Sequence, residues 1–161
     1  KKSCFEALAA DVVASRLRRE GTTYRDGWIT QEGSDWGIDF IGRIDIGRGF
    51  GQAKLVLIGQ AKCEKLDSPT GGNHVARTLA RLKRGRVGAY VTTSYFSDRV
   101  QREVLQDAYP LLLINGRDLA LEVNLMTQEA GVRSVTELLE KIDSTYKERI
   151  AHRQPEEILT D

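Results

Sequence analysis

Two stretches of this chain carry residues suited to phosphoryl chemistry: Asp39, and further along Gln60-Ala61-Lys62. Asp39 lies in Gly33-Ser34-Asp35-Trp36-Gly37-Ile38-Asp39-Phe40, and Gln60 and Lys62 close the apolar run Leu55-Val56-Leu57-Ile58-Gly59. Side chains alternate along a strand, so Gln60 and Lys62 point to one face. With Asp39 on a neighbouring strand, a carboxylate, an amide and an ammonium converge beside a buried sheet. Hydrolysing a phosphodiester requires a metal held by oxygen ligands, an activated water and charge relief at the phosphate. In such a site Asp39 anchors the metal, assisted by the Gln60 side-chain carbonyl and the Ala61 backbone carbonyl. Lys62 orients the water or stabilises developing charge. Mg²⁺ suits a site with few carboxylates, and Mn²⁺ is a possible substitute. A cross-strand ion pair between Asp39 and Lys62 fits the same spacing, which leaves both readings open.

The elements that must position these residues follow from periodicity. Phe5, Leu8, Ala9, Val12, Val13 and Leu17 share a helical face that stops at Gly21, and Ser3 with Glu6 has the form of a capping box. A weak strand near Tyr24–Thr30 is followed by a clearer one over Trp36–Ile46. That strand puts Ile38, Phe40, Ile44 and Ile46 on one face and Asp39, Ile41, Arg43 and Asp45 on the other. A turn at Gly47–Gly51 leads to a third strand, about Ala53 to Lys62, apolar on both faces as a central strand should be. Gly47-x-Gly49-x-Gly51 is not a dinucleotide loop, because a strand rather than a helix follows it.

Beyond the loop Ser68–Asn73, the pattern predicts a helix over His74–Arg84 closed by Gly85, and a strand over Val87–Thr93. A helix capped by Ser97 follows, with Val100, Val104 and Ala108 inward. Next come a short strand Leu111–Ile114, a helix from Arg117, and a helix opened by Ser134 with the stripe Val135, Leu138, Leu139, Ile142, Tyr146 and Ile150. A three-strand meander followed by a helical crossover implies an α/β protein with a mixed sheet and helices on both faces. Residues 1–153 read as one domain, and 154–161 as a polar tail expected to fray.

Several other residues invite a role. Arg77, Arg81 and Arg84 fall on one face of the predicted helix, and with Lys83 and Arg86 they form a candidate phosphate-contact strip; a solvated charged face is the alternative. Arg16, Arg18, Arg19 and Arg25 form a second basic group. His74 is a further DNA-contact candidate or simply a surface histidine. Glu6 sits at the rim of the first helix's apolar arc and is either a site acid or the partner of Ser3. Glu64 is a reserve acid on the Lys62 face. Ser34 and Asp35 shape the turn before Gly37.

The 161 residues suffice for one cored domain, and no apolar run approaches the ~20 residues of a membrane span. Two cysteines without metal-ligand spacing argue against a zinc site or disulfide scaffold and fit a reducing cytoplasm. A net charge of +1 announces no nucleic-acid partner by itself. Met126 is the sole methionine, so the chain reads as part of a longer protein.

Gly37-Ile38-Asp39, the apolar strand and Gln60-x-Lys62 together resemble the PD-(D/E)xK nucleases of the Mrr-like branch, in which glutamine often replaces the second acid. Phe5-Glu6, Gly88–Thr93 with Phe96-Ser97, and Leu113–Gly116 with Leu119-Ala120 extend the likeness over about Cys4 to Val123. Asp39 with Gln60-Ala61-Lys62 is similar to the nuclease domain of MspJI-type modification-dependent restriction enzymes. That resemblance implies a restriction-endonuclease-like three-layer α/β/α core (αβββαβ) plus C-terminal helices. It implies a bacterial cytoplasmic enzyme, dependent on Mg²⁺, that cuts double-stranded DNA carrying 5-methylcytosine or 5-hydroxymethylcytosine. It further implies a separate N-terminal SRA-like recognition domain and a homo-oligomer. An Mrr-like or junction-resolving nuclease with another DNA target, or a silent DNA-binding module on the same fold, are the alternatives.

Overall fold

The computed structural model of the chain describes residues 2–31 and 37–161, with Lys2 and Ser3 described by backbone alone. Gly33, Ser34, Asp35 and Trp36, which the sequence assigns to the approach to Asp39, lie outside the described residues.

The helix α1 (Lys2–Arg19) leads into three antiparallel strands, β1 (Thr23–Thr30), β2 (Phe40–Ile46) and β3 (Ala53–Lys62). Then follow α2 (Gly72–Leu79), β4 (Arg86–Thr92), α3 (Asp98–Gln106), β5 (Leu111–Ile114), α4 (Gly116–Glu129), α5 (Val135–Thr145) and a two-residue strand β6 (Ile150–Ala151). The sheet order is β5-β4-β3-β2-β1-β6. β3 pairs in parallel with β4, β4 with β5, and β1 with β6, so the sheet is mixed as expected. Among the described residues no helix is long and apolar enough to cross a membrane.

Alternation along β2 and β3 divides two cores. Phe40 and Leu57 face α1, and with Ala7, Val12 and Val13 they form the larger core, which α4 and α5 complete through Leu119, Val123, Leu138 and Ile142. Ile41, Val56 and Ile58 face the other way, into a core with Trp28, Ile38 and Ile158. On that same face Val75 of α2 and Val100 and Val104 of α3 pack around Tyr90 and Phe96. The three layers are therefore α1/α4/α5, the sheet, and α2/α3 with the C-terminal segment.

The structure corrects several expectations. β2 begins at Phe40 rather than Trp36, so strict alternation does not reach Ile38, which joins Ile41 instead of Phe40. Ile46 ends the strand more than half exposed. α1 already includes Lys2, which puts Ser3 inside the helix rather than at its cap. Ala108 is exposed in a left-handed turn (φ 49°), past the end of α3. The apolar stripe of the last helix outlives it: Tyr146 begins a 3₁₀ turn and Ile150 lies in β6. Ser97 and Ser134 do cap α3 and α5, and Asn115, not expected as a cap, caps α4, each accepting a backbone N–H three residues on.

α2 stops at Leu79, well short of Arg84. The Arg81 and Leu82 N–H groups bond three residues back, to Thr78 and Leu79, and so close the helix with tight turns. The Arg81 carbonyl accepts from the Arg86 guanidinium at 3.2 Å. Arg77, Arg81 and Arg84 consequently do not share a helical face.

The C-terminal residues do not fray. Pro155–Leu159 form a 3₁₀ helix whose Ile158 is 2% exposed against β2 and β3. Beside it Arg43, 1% exposed, is paired with Asp45 at 2.8 Å and donates to the carbonyls of Ile158 (2.9 Å) and Asp161 (2.7 Å). A buried guanidinium needs this full set of acceptors, so the segment completes the sheet's second face. Ile158→Ala should lower stability by about 2–4 kcal/mol, measured by urea unfolding; a loss below about 0.5 kcal/mol would show that the segment does not hold the face.

Candidate functional site

The site is built where β2 parts from β3. The Asp39 N–H donates to the Gly59 carbonyl at 2.8 Å, and the Asp39 carbonyl accepts from the Thr30 N–H at 3.0 Å. The backbone at Asp39 is thus held between the ends of β1 and β3. Gly59 makes this approach possible: a Cβ there would lie 2.0 Å from the Phe40 ring, which is fully buried directly after Asp39. Gly37, at φ 51°, turns the chain toward Asp39, and its α-carbon lies against the Arg81 guanidinium.

The Asp39 carboxylate is pinned. Its Oδ2 accepts from the Gln60 Nε2 at 2.5 Å and from the Ala61 N–H at 2.7 Å. Asp39, Gln60, Ala61 and Lys62 are all half-buried. Two donors on one oxygen favour the charged carboxylate. Gln60 therefore serves here as a donor to the acid, and turning its amide over would present Oε1 to a cation instead.

Lys62 follows Gln60 on the same face. The register puts Tyr90 opposite Gln60 and Thr92 opposite Lys62, both on β4 and both buried. Burial pushes the Tyr90 phenol up, and the negative charges of Glu64 and Asp39 add to the effect. The ion-pair reading of Asp39 and Lys62 is not realised: Asp39 takes donors from Gln60 and Ala61, and the Lys62 ammonium enters no ion pair among the described residues.

The remaining candidates divide. α1 starts at this end of the sheet but covers the face opposite to Gln60 and Lys62, and the half-buried Glu6 receives the Tyr146 hydroxyl at 3.5 Å. His74 and Arg77 are exposed on α2, Arg84 is exposed beyond it, and Arg81 bonds back to the Arg77 carbonyl at 2.7 Å. Arg86 leaves the basic strip, being buried and paired with Glu156. The second basic group is neutralised in place: Arg16 pairs with Glu20, Arg18 with Asp26, Arg19 with Glu122 and Glu129, and Arg25 with Asp45.

A cavity of about 970 Å³ lies on the far face, walled by α1, α4 and α5, and it holds none of Asp39, Gln60 and Lys62. Apart from Lys141, its charges are matched in the pairs Arg18–Asp26, Arg19–Glu129 and Arg149–Asp11. The site lies instead at the strand ends, with its residues half-buried. Among the described residues no three His, Cys, Asp or Glu side chains come together. The donor set is one carboxylate, one amide oxygen and backbone carbonyls. It fits a hard cation that keeps water and substrate oxygens as ligands, and it does not fit a closed zinc site. The sequence pattern did not single out Gly59, Thr30 or Tyr90; a glycine closing an otherwise β-branched and leucine-rich run is the one available signal.

A mixed sheet with an acid at the start of β2 and Gln-x-Lys at the end of β3 defines a restriction-endonuclease-like catalytic domain. The restriction endonuclease family represented by the Mrr catalytic domain matches residues 4–122, and the chain belongs to that family. No curated protein matches it. Among solved structures, MspJI restriction endonuclease in complex with a 27-mer oligonucleotide superposes with a TM-score of 0.94 at 40% identity, over 100% of this chain and 36% of that one. The DNA modification-dependent restriction endonuclease AspBHI matches with a TM-score of 0.63 at 24% identity, over 89% of this chain and 40% of that one, and so agrees in fold. The chain thus spans well under half the length of either.

Gln60→Glu should lower stability at neutral pH by about 1–3 kcal/mol, because a second carboxylate replaces the donor 2.5 Å from Asp39. Protonation of either acid restores a donor, so the deficit should shrink in mildly acidic buffer. Unfolding curves at the two pH values check this, and a deficit independent of pH would exclude charge repulsion as its cause.

Proposed function

We propose that this chain is the Mg²⁺-dependent endodeoxyribonuclease domain of a modification-dependent restriction enzyme. The observation that carries the reading is the carboxylate of Asp39 pinned by Gln60 and Ala61, with the Lys62 ammonium, in no ion pair among the described residues, next along the same face.

Asp39, the Gln60 amide oxygen and the Ala61 carbonyl would hold the cation; Mn²⁺ has the same preference for oxygen and is the natural substitute. When bound, the cation supplies Lewis-acid polarisation of a phosphate oxygen and lowers the pKa of water. The chain's own contribution is electrostatic and positional. The hydrogen bond from the Ala61 N–H keeps Asp39 ionised and oriented, and the Gln60 amide adds to it until it turns to the cation. Lys62 offsets charge on the phosphate as water attacks phosphorus in line and the 3′ oxygen leaves. His74, Arg77, Arg81 and Arg84 serve as phosphate contacts beside the cut site, with Arg81 set against the loop that delivers Asp39. Glu6, at the same end of the sheet, is a further site acid in this reading.

The resemblance of Asp39 with Gln60-Ala61-Lys62 to MspJI-type modification-dependent enzymes is the ground for double-stranded DNA modified at cytosine as the substrate, selected by a separate SRA-like domain outside this sequence. Each copy of the chain carries one such site, so a double-strand break calls for more than one copy. Bacterial cytoplasm is the compartment where that substrate lies.

The full-length protein should cut plasmid DNA in Mg²⁺, and Asp39→Asn and Lys62→Ala should each lower kcat by roughly 100-fold or more. Cytosine-methylated plasmid should be cut in preference to unmethylated plasmid. Equal cutting of both would favour an Mrr-like or junction-resolving nuclease, and absence of cleavage on any DNA would favour a silent DNA-binding module.

A further inference from the structure

Glu64 lies two residues beyond Lys62 and is held in a way that the residues above do not explain. Its Oε2 accepts the Thr70 hydroxyl, and the Thr92 hydroxyl lies 3.3 Å from the same oxygen. Both threonines are 0% exposed, with their hydroxyl oxygens 3.1 Å apart. Thr92 accepts from the Ser94 N–H at 3.2 Å, which leaves its own proton for Glu64. The backbone is fixed as well: the Glu64 N–H donates to the Thr93 hydroxyl oxygen at 2.8 Å, and that hydroxyl donates to the Glu64 carbonyl at 2.6 Å. Two buried hydroxyl donors on one oxygen match an ionised carboxylate, which only accepts. The second oxygen, Oε1, takes no hydrogen bond from any described residue, and the side chain is only half-buried.

The placement relative to the site follows from register. Thr92 is the cross-strand neighbour of Lys62, and Tyr90 that of Gln60. The buried Tyr90 phenol feels the charges of both Glu64 and Asp39. The two carboxylates therefore stand on one face, Asp39 on the β2 side of the Gln60–Lys62 ridge and Glu64 on the β4 side. Asp39 alone gives a divalent cation a single negative charge, since Gln60 is neutral.

We infer that Glu64 is the second acid of this site, a positioning residue whose Oε2 is anchored by Thr70 and Thr92 and whose Oε1 holds the hydration shell of the cation that Asp39 binds. The inference rests on the metal-nuclease reading. It assigns two buried threonines, remote from the motif, to the same task.

Mn²⁺ binding to the full-length protein, measured by electron paramagnetic resonance without DNA, tests it. Glu64→Gln keeps an acceptor for both hydroxyls and should weaken Mn²⁺ binding by about 10-fold or more with an unchanged melting temperature. Thr70→Val frees the carboxylate without removing its charge and should weaken binding in the same direction. Asp39→Asn should abolish it. Wild-type affinity in both Glu64→Gln and Thr70→Val, with loss in Asp39→Asn, would reduce Glu64 to a structural residue while leaving the nuclease reading intact. Wild-type affinity in Asp39→Asn would overturn the metal site itself. If Glu64→Gln does not fold, a folded Thr70→Val decides by the same criterion.

Discussion

The site depends on a carboxylate that two donors hold at the point where two strands separate. Desolvating an aspartate is costly unless its charge is answered. Here two hydrogen bonds answer it, from the Ala61 N–H and the Gln60 amide, both on β3. The geometry of the acid is thereby tied to the register of β2 on β3, which pairs Phe40 with Gly59 one step away. A slip of one residue would turn Asp39 to the α1 face and bring Phe40 out of its core. The glutamine acquires a physical reason from the same contact. An acid at position 60 would repel Asp39, whereas the amide donates to it.

Everything beneath that contact serves to keep β3 still. The strand is covered on both faces, by α1 through Leu57 and by the C-terminal segment through Val56 and Ile58. Gly59 lets the Phe40 ring close the gap below the site, so the fixed point of the carboxylate is also a fixed point of the core. On the outer face the Arg43–Asp45 pair reaches the carbonyls of Ile158 and Asp161 and so ties the last residues of the chain to its second strand. Lys54 adds a bond to the Leu159 carbonyl from β3 itself. Rigid strands, rather than loops, present Gln60 and Lys62, which suits chemistry that needs positioned charge.

What local pattern controls was legible. β3 was read from Ala53 to Lys62 because a two-sided apolar run between turn residues has few alternatives, and the alternation that puts Gln60 and Lys62 together follows from backbone geometry alone. What depends on distant partners was not. Arg86 looks like part of a basic strip until Glu156, seventy residues away, is seen to pair with it. The polar tail looks unstructured because one isoleucine gives no periodicity, yet a buried guanidinium supplies what holds it. α2 ends early through turns and a side-chain bond from the next strand. The anchoring of Glu64 by Thr70 and Thr92 joins three segments and leaves no mark in spacing.

Charge distribution bears on how such a domain meets DNA. Its net charge is only +1, and most of the arginines on α1 and β1 are committed to carboxylates. Each phosphate contact adds to affinity by releasing counterions, so arginines already committed to carboxylates on α1 and β1 offer a duplex little, and such contacts fall to cations elsewhere on the surface. Arg77, Lys83 and Arg84 are exposed and enter no ion pair among the described residues, and they lie after β3, on the side of the sheet where Lys62 points. The two basic groups thus differ in kind: the one on α1 and β1 is neutralised in place, and Arg77, Lys83 and Arg84 stay available on the face that carries Lys62.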